Sequence, residues 1–296
     1  MTNRVRVWGE IGPSFVVGAD RRVNEHTLIR MIDAILDAGA ELCKVQLKSF
    51  DGPRAFYAND PIDKPPVDPD RAPFATRGEY IRHREPDRAL LQLIDAECTG
   101  RGLDWTASPW DIASVGLLAE FAPEHVKVAS ACMVDDALLL EIRRLMPDAR
   151  LVVSTGMSTM EEIDHMVELL AMSGLESEDL TLAVCTAKYP AEAHELNIAR
   201  IGAMIERYPA IEIGWSSHSP MPHHAALAVA AGARWIEQHI TTGCGRWGSD
   251  HESSLEPEQF KQCVRLIREA EKVRGSGRIG VLACEQPARE RLRRTA

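Results

Sequence analysis

Residues 25–47 read EHTLIRMIDAILDAGAELCKVQL. The first part, Glu25–Ala38, is an amphipathic helical stretch. The last part, Glu41–Leu47, is a short apolar run of the kind that forms a buried strand. Between them DAGA (37–40) places a glycine just past the helix and just before the strand, where a helix commonly terminates.

The same unit recurs along the chain. AAGA (230–233) repeats the junction near the other end. Strands are predicted at Val5–Ile11, Glu41–Leu47, Leu103–Ser108, Val126–Ser130, Leu151–Thr155, Thr181–Thr186, Ile211–Ser216 and Arg234–Ile240. Helices are predicted between them at Glu25–Ala38, Arg88–Thr99, Ile112–Phe121, Val134–Leu145, Met160–Leu175, Leu196–Tyr208 and Pro222–Ala231, with Glu256–Val273 after the last strand. Strands alternating with helices imply parallel pairing, because each crossover carries the chain back to the same end of the sheet. Eight such units close into an α/β fold of the (β/α)8, or TIM-barrel, kind. An open doubly wound sheet is the alternative, weakened because no GxGxxG follows the first strand. The barrel is expected to be a single domain over residues 1–273, with 274–296 a polar, Arg-rich tail. Residues 48–87 break the rhythm and are expected to form a lid, since they follow the second strand and so lie on the catalytic face.

Composition narrows the function. Of 296 residues 45% are hydrophobic and 26% charged, as in an ordinary globular protein with ample material for a large core. A net charge of −10 argues against nucleic-acid binding, which needs a basic face. There is neither a long apolar run for a membrane span nor an apolar leader. Seven scattered cysteines without a CxxC pair suit a reduced, cytoplasmic protein. Cys43 and Cys185 read as packing residues, and Cys132 as one that reaches the rim.

Polar residues at the carboxyl ends of barrel strands face the active site. They are Glu10, Lys44, Gln46, Lys48, Ser108, Lys127, Ser130, Ser154, Thr155, Thr186, Lys188, Tyr189, Ser216, His218, Glu237 and His239, followed by Asp250 and His251 in a loop. Lys44, Gln46 and Lys48, two apart, share one side of their strand, as do Glu237 and His239. Only seven of the 34 basic residues are lysines, yet four of them (44, 48, 127, 188) fall at these strand ends. An inward-pointing lysine is costly unless paired. Lysines and hydroxyls on one rim suit a phosphate and a carboxylate. Structural ion pairs with Glu10, Glu237 or Asp250 are the competing use, weighed equally for Lys48 and Lys188. His218 and His239 stand on neighbouring strands and could share a divalent cation. The remaining histidines, 125 among them, fall on or near predicted helices, and His223 and His224 read as a solvated first turn.

The strings GEIG (9–12), GAELCKVQ (39–46), STGMSTMEEI (154–163), CTAKYP (185–190), IGWSSH (213–218), GARWIEQHIT (232–241) and SDHESSLEP (249–257) together resemble the sialic acid synthase (N-acetylneuraminate synthase) family along the whole chain. The resemblance implies a transferase that condenses phosphoenolpyruvate with an aldehyde, usually a sugar, to a 2-keto acid of nonulosonic or ulosonic type. It implies that His218 and His239 hold a divalent metal, manganese in first place, with magnesium or cobalt as alternatives. It implies that Lys44, Ser108, Lys127, Ser130, Ser154 and Ser216 hold phosphoenolpyruvate, and that Glu10, Tyr189, Glu237 and Asp250 surround the acceptor and the reacting carbons. A homo-oligomer, in first place a dimer, is implied as well. The chain departs from the family at GPSFVVG (12–18), where an Asn-His pair is usual, at Ala187 for Asn, and at Ala131-Cys132 for Gly-Glu. RRTA (293–296) stands where the family's linker to an antifreeze-like domain would begin. The resemblance is therefore to the barrel alone, and poor use of N-acetylmannosamine is expected. Other readings are a metal-dependent hydrolase or aldolase, and a non-catalytic, regulatory barrel.

Overall fold

The computed structural model describes residues 4–49, 56, 70 and 72–294. Eight parallel strands alternate with helices in chain order. They are β1 (Arg6–Glu10), α1 (Arg21–Asp37), β2 (Leu42–Leu47), α2 (Arg77–Arg84), α3 (Arg88–Arg101), β3 (Asp104–Pro109), α4 (Ile112–Ala119), β4 (His125–Val128), α5 (Asp136–Leu145), β5 (Arg150–Ser154), α6 (Met160–Met172), β6 (Leu180–Cys185), α7 (Arg200–Arg207), β7 (Glu212–Ser217), α8 (His224–Ala230), β8 (Trp235–His239), α9 (Pro257–Arg274) and α10 (Gln286–Leu292). The ladder runs β3-β2-β1-β8-β7-β6-β5-β4. The seam between β3 and β4 is bridged by the Thr106 hydroxyl, which donates to the His125 carbonyl. The sheet is thus a nearly closed barrel.

Strand alternation sorts the inward side chains into layers. Arg6, His125, Thr181 and Glu212 meet at the amino-terminal mouth, where the Arg6 guanidinium bonds all three. Above them Trp8, Leu42, Val152, Ala183 and Trp235 form a closed apolar plug. Trp8 and Trp235 meet edge to face, with centroids 4.9 Å apart. The larger apolar core lies between the sheet and the helix ring, with α1 supplying Leu28, Met31, Ile32 and Ile35.

The plug depends on Gly214 in β7. A Cβ built there would lie 2.8 Å from the Trp235 carbonyl oxygen and 2.7 Å from its indole Cε3. Neither the strand backbone nor the wedged indole can yield. Gly214→Ala should cost about 1–3 kcal/mol through overpacking, seen as a lowered urea midpoint with an unchanged slope.

Three sequence expectations need correction. Ser130 is not on a strand: β4 ends at Val128, and Ser130–Cys132 form a short 3-10 turn. His125 lies within β4, in the barrel mouth, not near a helix. His224 is not solvated but buried, bonded through Nδ1 to the Ser219 hydroxyl at 2.7 Å. Of the expected lid, residues 50–55, 57–69 and 71 lie outside the described residues. Its end forms α2, which no helical pattern had indicated. The expected tail carries α10. No helix among the described residues is long and apolar enough to cross a membrane.

Candidate active site

Above the plug, the carboxyl ends of the strands enclose a cavity of about 190 Å³. Its walls include Glu10, Lys44, Ser108, Lys127, Ser130, Ser154, Tyr189, Ser216, His218, Glu237 and His239. Every residue expected to bind substrate or metal or to act in catalysis, except Asp250, therefore faces one space, while Lys48, Thr155, Thr186, Lys188 and His251, also expected at this rim, do not line it. Register explains the convergence: Glu10 is opposite Lys44 on β2 and His239 on β8, and Ser216 is opposite Glu237.

Lys44 is the hub. Its Nζ lies 2.9 Å from Glu10 Oε2 and 3.6 Å from Glu237 Oε2, and donates to Ser108 Oγ at 3.0 Å. Burial works against this ammonium, yet the two carboxylates more than offset it and raise its pKa. Glu237 accepts from Ser216 Oγ at 2.9 Å. Burial opposes its charge too, but Lys44, Lys127 and His239 hold it below the usual carboxylate range.

Lys127 is different. It donates to Ser154 Oγ at 2.6 Å and to the Val128 carbonyl at 3.0 Å. Among the described residues no carboxylate lies within ion-pair distance of its Nζ, and burial lowers its pKa. Ser130 Oγ accepts from the Gly156 amide at 3.0 Å, which leaves its hydroxyl proton to offer.

Over this layer sit the two histidines, with ring centroids 5.2 Å apart. His218 Nδ1 donates to the Thr186 carbonyl at 2.7 Å, so Nε2 keeps its lone pair. Burial, then His239, push the His218 pKa down to about 3, which keeps the ring neutral. His239 Nδ1 is buried without a hydrogen-bond partner, 3.7 Å from Asp250 Oδ2. Among the described residues no group of three or more His, Cys, Asp or Glu side chains is arranged as a metal cage. A neutral His218 and a His239 with an orphaned nitrogen still fit the protein side of an open divalent site whose other ligands are small molecules.

Asp250 stands behind the wall, in a left-handed conformation (φ 73°). Its Oδ2 lies 3.4 Å from where a Cβ on Gly12 would be, and Glu10 Oε1 lies 2.9 Å from the same point. Gly12 thus leaves the gap through which the two carboxylates approach. Tyr189 is half-exposed at the mouth, its ring stacked on His218 at 3.8 Å between centroids. Lys188 points away and pairs with Glu195 at 2.6 Å, the structural use of that lysine. Cys132 does not reach the surface; it is buried, and burial pushes its thiol up to about 12.

Gln46, Trp110, Met157, Cys185 and Ala187 also line the cavity. Gln46 was legible from its period with Lys44, and Trp110 from standing just past the third strand. Cys185 is buried as expected but also faces the site, with its thiol raised by burial.

A family model described as "NeuB family" matches residues 31–279. The N,N'-diacetyllegionaminic acid synthase of Campylobacter jejuni is 32% identical over 256 residues, covering 84% of this chain and 72% of that protein. The N-acetylneuraminate-9-phosphate synthase of Drosophila melanogaster is 29% identical over 251 residues, covering 85% of this chain and 65% of that protein. A solved N-acetylneuraminic acid synthetase from Leptospira borgpetersenii superposes with a TM-score of 0.82 over 99% of this chain and 93% of its own, at 23% identity, a likeness of fold. The family match over most of the barrel, together with synthases as relatives, makes this chain an enzyme that belongs to the NeuB family.

Proposed function

We propose that the chain joins phosphoenolpyruvate to an aldehyde, in first place a sugar, giving a 2-keto acid of nonulosonic or ulosonic type and inorganic phosphate. The observation that carries this reading is the pair of buried lysines, Lys44 and Lys127, facing one cavity together with the hydroxyls of Ser108, Ser130, Ser154 and Ser216. Phosphoenolpyruvate presents a phosphate and a carboxylate, and ammonium and hydroxyl donors bind both by charge-assisted hydrogen bonds. Lys127 has the greater need of an anion, since among the described residues no carboxylate lies within ion-pair distance of its Nζ and burial outweighs the pull of Glu237 and Glu10.

In the reaction C3 of the enol forms a bond to the aldehyde carbon. A water adds at C2, and the tetrahedral intermediate expels phosphate by C–O cleavage. Glu10 and Glu237, on either side of Lys44, are the groups to orient that water and take its proton. Tyr189 and Asp250 border the acceptor side. His218 and His239 would hold a divalent ion, manganese in first place, which when bound supplies Lewis-acid polarisation of the acceptor carbonyl.

Phosphate release from phosphoenolpyruvate, measured over a panel of aldehydes that includes N-acetylmannosamine, tests the reading. Release should require an aldehyde. Chelation should reduce it at least about 100-fold, and manganese should restore it. No metal-dependent release with any aldehyde would point to the non-catalytic barrel. Cleavage of a keto acid to pyruvate without phosphoenolpyruvate would point to an aldolase.

A further inference from the structure

Lys48 has no task in the chemistry above, yet it is buried at the carboxyl end of β2. Its Nζ lies 4.0 Å from the centroid of the Trp110 ring and 5.2 Å from that of Phe56. It donates to Gln46 Oε1 at 3.1 Å. Gln46 Nε2 in turn donates to Glu10 Oε1 at 3.0 Å. An ammonium can only donate, so it decides which end of the amide faces it. With Lys48 on Oε1, the amide's donors are turned toward Glu10. Glu10 is then held at both oxygens, Oε1 accepting from Gln46 and Oε2 in an ion pair with Lys44.

We propose that Lys48 is a positioning residue: it locks the Gln46 amide, and through it fixes the orientation of the Glu10 carboxylate that faces the reacting carbons. Its kinetic consequences rest on the condensation reading. Removing the ammonium frees Gln46 to flip and present its oxygen to Glu10, which would turn that carboxylate away.

The lock is sensitive to alkali. Burial lowers the Lys48 pKa to about 8, with Glu85 opposing and Arg84 adding to the effect, and Asp250 and Cys132 the remaining charged or titratable neighbours. A neutral amine can accept as well as donate, so it no longer dictates the amide's orientation. In the wild type, kcat/KM for the acceptor should fall above about pH 8. Arginine does not titrate there. Lys48→Arg should therefore keep activity and lose that alkaline limb. Lys48→Met should be lower at every pH by roughly 10- to 100-fold, the cost of a misplaced group, with no limb near pH 8 and little change in KM for phosphoenolpyruvate. A limb that stays in place in Lys48→Arg, or a Lys48→Met enzyme equal to the wild type, would overturn the proposal.

A second readout needs no turnover. In protein labelled with 13C-lysine, the Lys48 Cε signal should titrate near pH 8, and in Gln46→Leu its midpoint should move further down because the ammonium has lost its acceptor. An unchanged midpoint would sink the lock whether or not the enzyme condenses phosphoenolpyruvate. Failure of phosphate release with an intact titration shift would instead count against the condensation alone.

Discussion

Lys127→Met should lower turnover by about 10²–10³-fold, the usual effect of removing one preorganised donor to developing charge, while leaving the protein at least as stable as before. The two halves have one cause. Lys127 is buried, and among the described residues its only hydrogen-bond partners are Ser154 Oγ and the Val128 carbonyl. Desolvating an ammonium costs several kcal/mol unless a counter-charge repays it. No carboxylate repays it within ion-pair distance among the described residues. Methionine fills similar space without that penalty, so the variant should be unchanged or roughly 1–3 kcal/mol more stable. The pH dependence separates this from simple repacking. Burial depresses the Lys127 pKa, so the unfolded chain binds the proton more tightly than the fold does. Wild-type stability should then gain as pH rises toward the unfolded lysine value of about 10.4. Lys127→Met should lack that gain. Urea melts at several pH values, set beside phosphate-release rates, check both halves. A variant that loses stability and activity together would mean that Lys127 serves the fold.

Much of this is legible in the sequence. All eight strands begin and end within two residues of where apolar runs bounded by polar breaks put them. A strand buried on both faces has little freedom in where its apolar residues stop. Strand 4 erred most at its end because Ser130, which follows Val128 and Ala129, continues the strand's pattern while the chain turns into a 3-10 coil. Helix α2 was hidden for a different reason. RGEYIRHR is mostly polar, and its placement comes from contacts outside the helix: Tyr80 packs on the nearby Phe74 and on the remote Trp247, with centroids 5.5 and 4.8 Å away. Period two along β2 and β8 put Lys44, Glu237 and His239 on the inner face. It could not say which lysine faces a carboxylate. That depends on register between strands far apart in sequence, which sets Lys44 beside Glu10 and leaves Lys127 beside Ser154. His224 shows the converse, a histidine that looked solvated because nothing local announces Ser219 as its partner.

Lys44→Met should abolish activity and, unlike the Lys127 variant, destabilise the protein by about 3–5 kcal/mol, the cost of stranding buried charge. Lys44 holds Glu10 at 2.9 Å and Glu237 at 3.6 Å, all three nearly inaccessible to water. Without it two carboxylates face each other across a dry layer, and Ser108 Oγ loses its donor. The pH profile should change as well. In the wild type the raised Lys44 pKa is a contribution present below the unfolded lysine value of about 10.4 and lost as pH climbs through the folded value. The depressed Glu237 pKa is a contribution present above the unfolded glutamate value of about 4.3 and lost as pH falls through the folded value. The triad therefore stabilises across the whole neutral range. With the ammonium gone, Lys127, His239 and Ser216 still favour the Glu237 carboxylate, but its largest opposing charge is lost, so burial moves it toward the protonated form. A carboxyl whose folded pKa is raised takes up a proton on folding, so the variant should regain stability as pH falls from neutral toward about 5, while the wild type stays flat there. The gap between the two urea midpoints should narrow over that interval. A gap constant with pH would mean that the loss comes from packing and that the two carboxylates do not need Lys44 to remain charged.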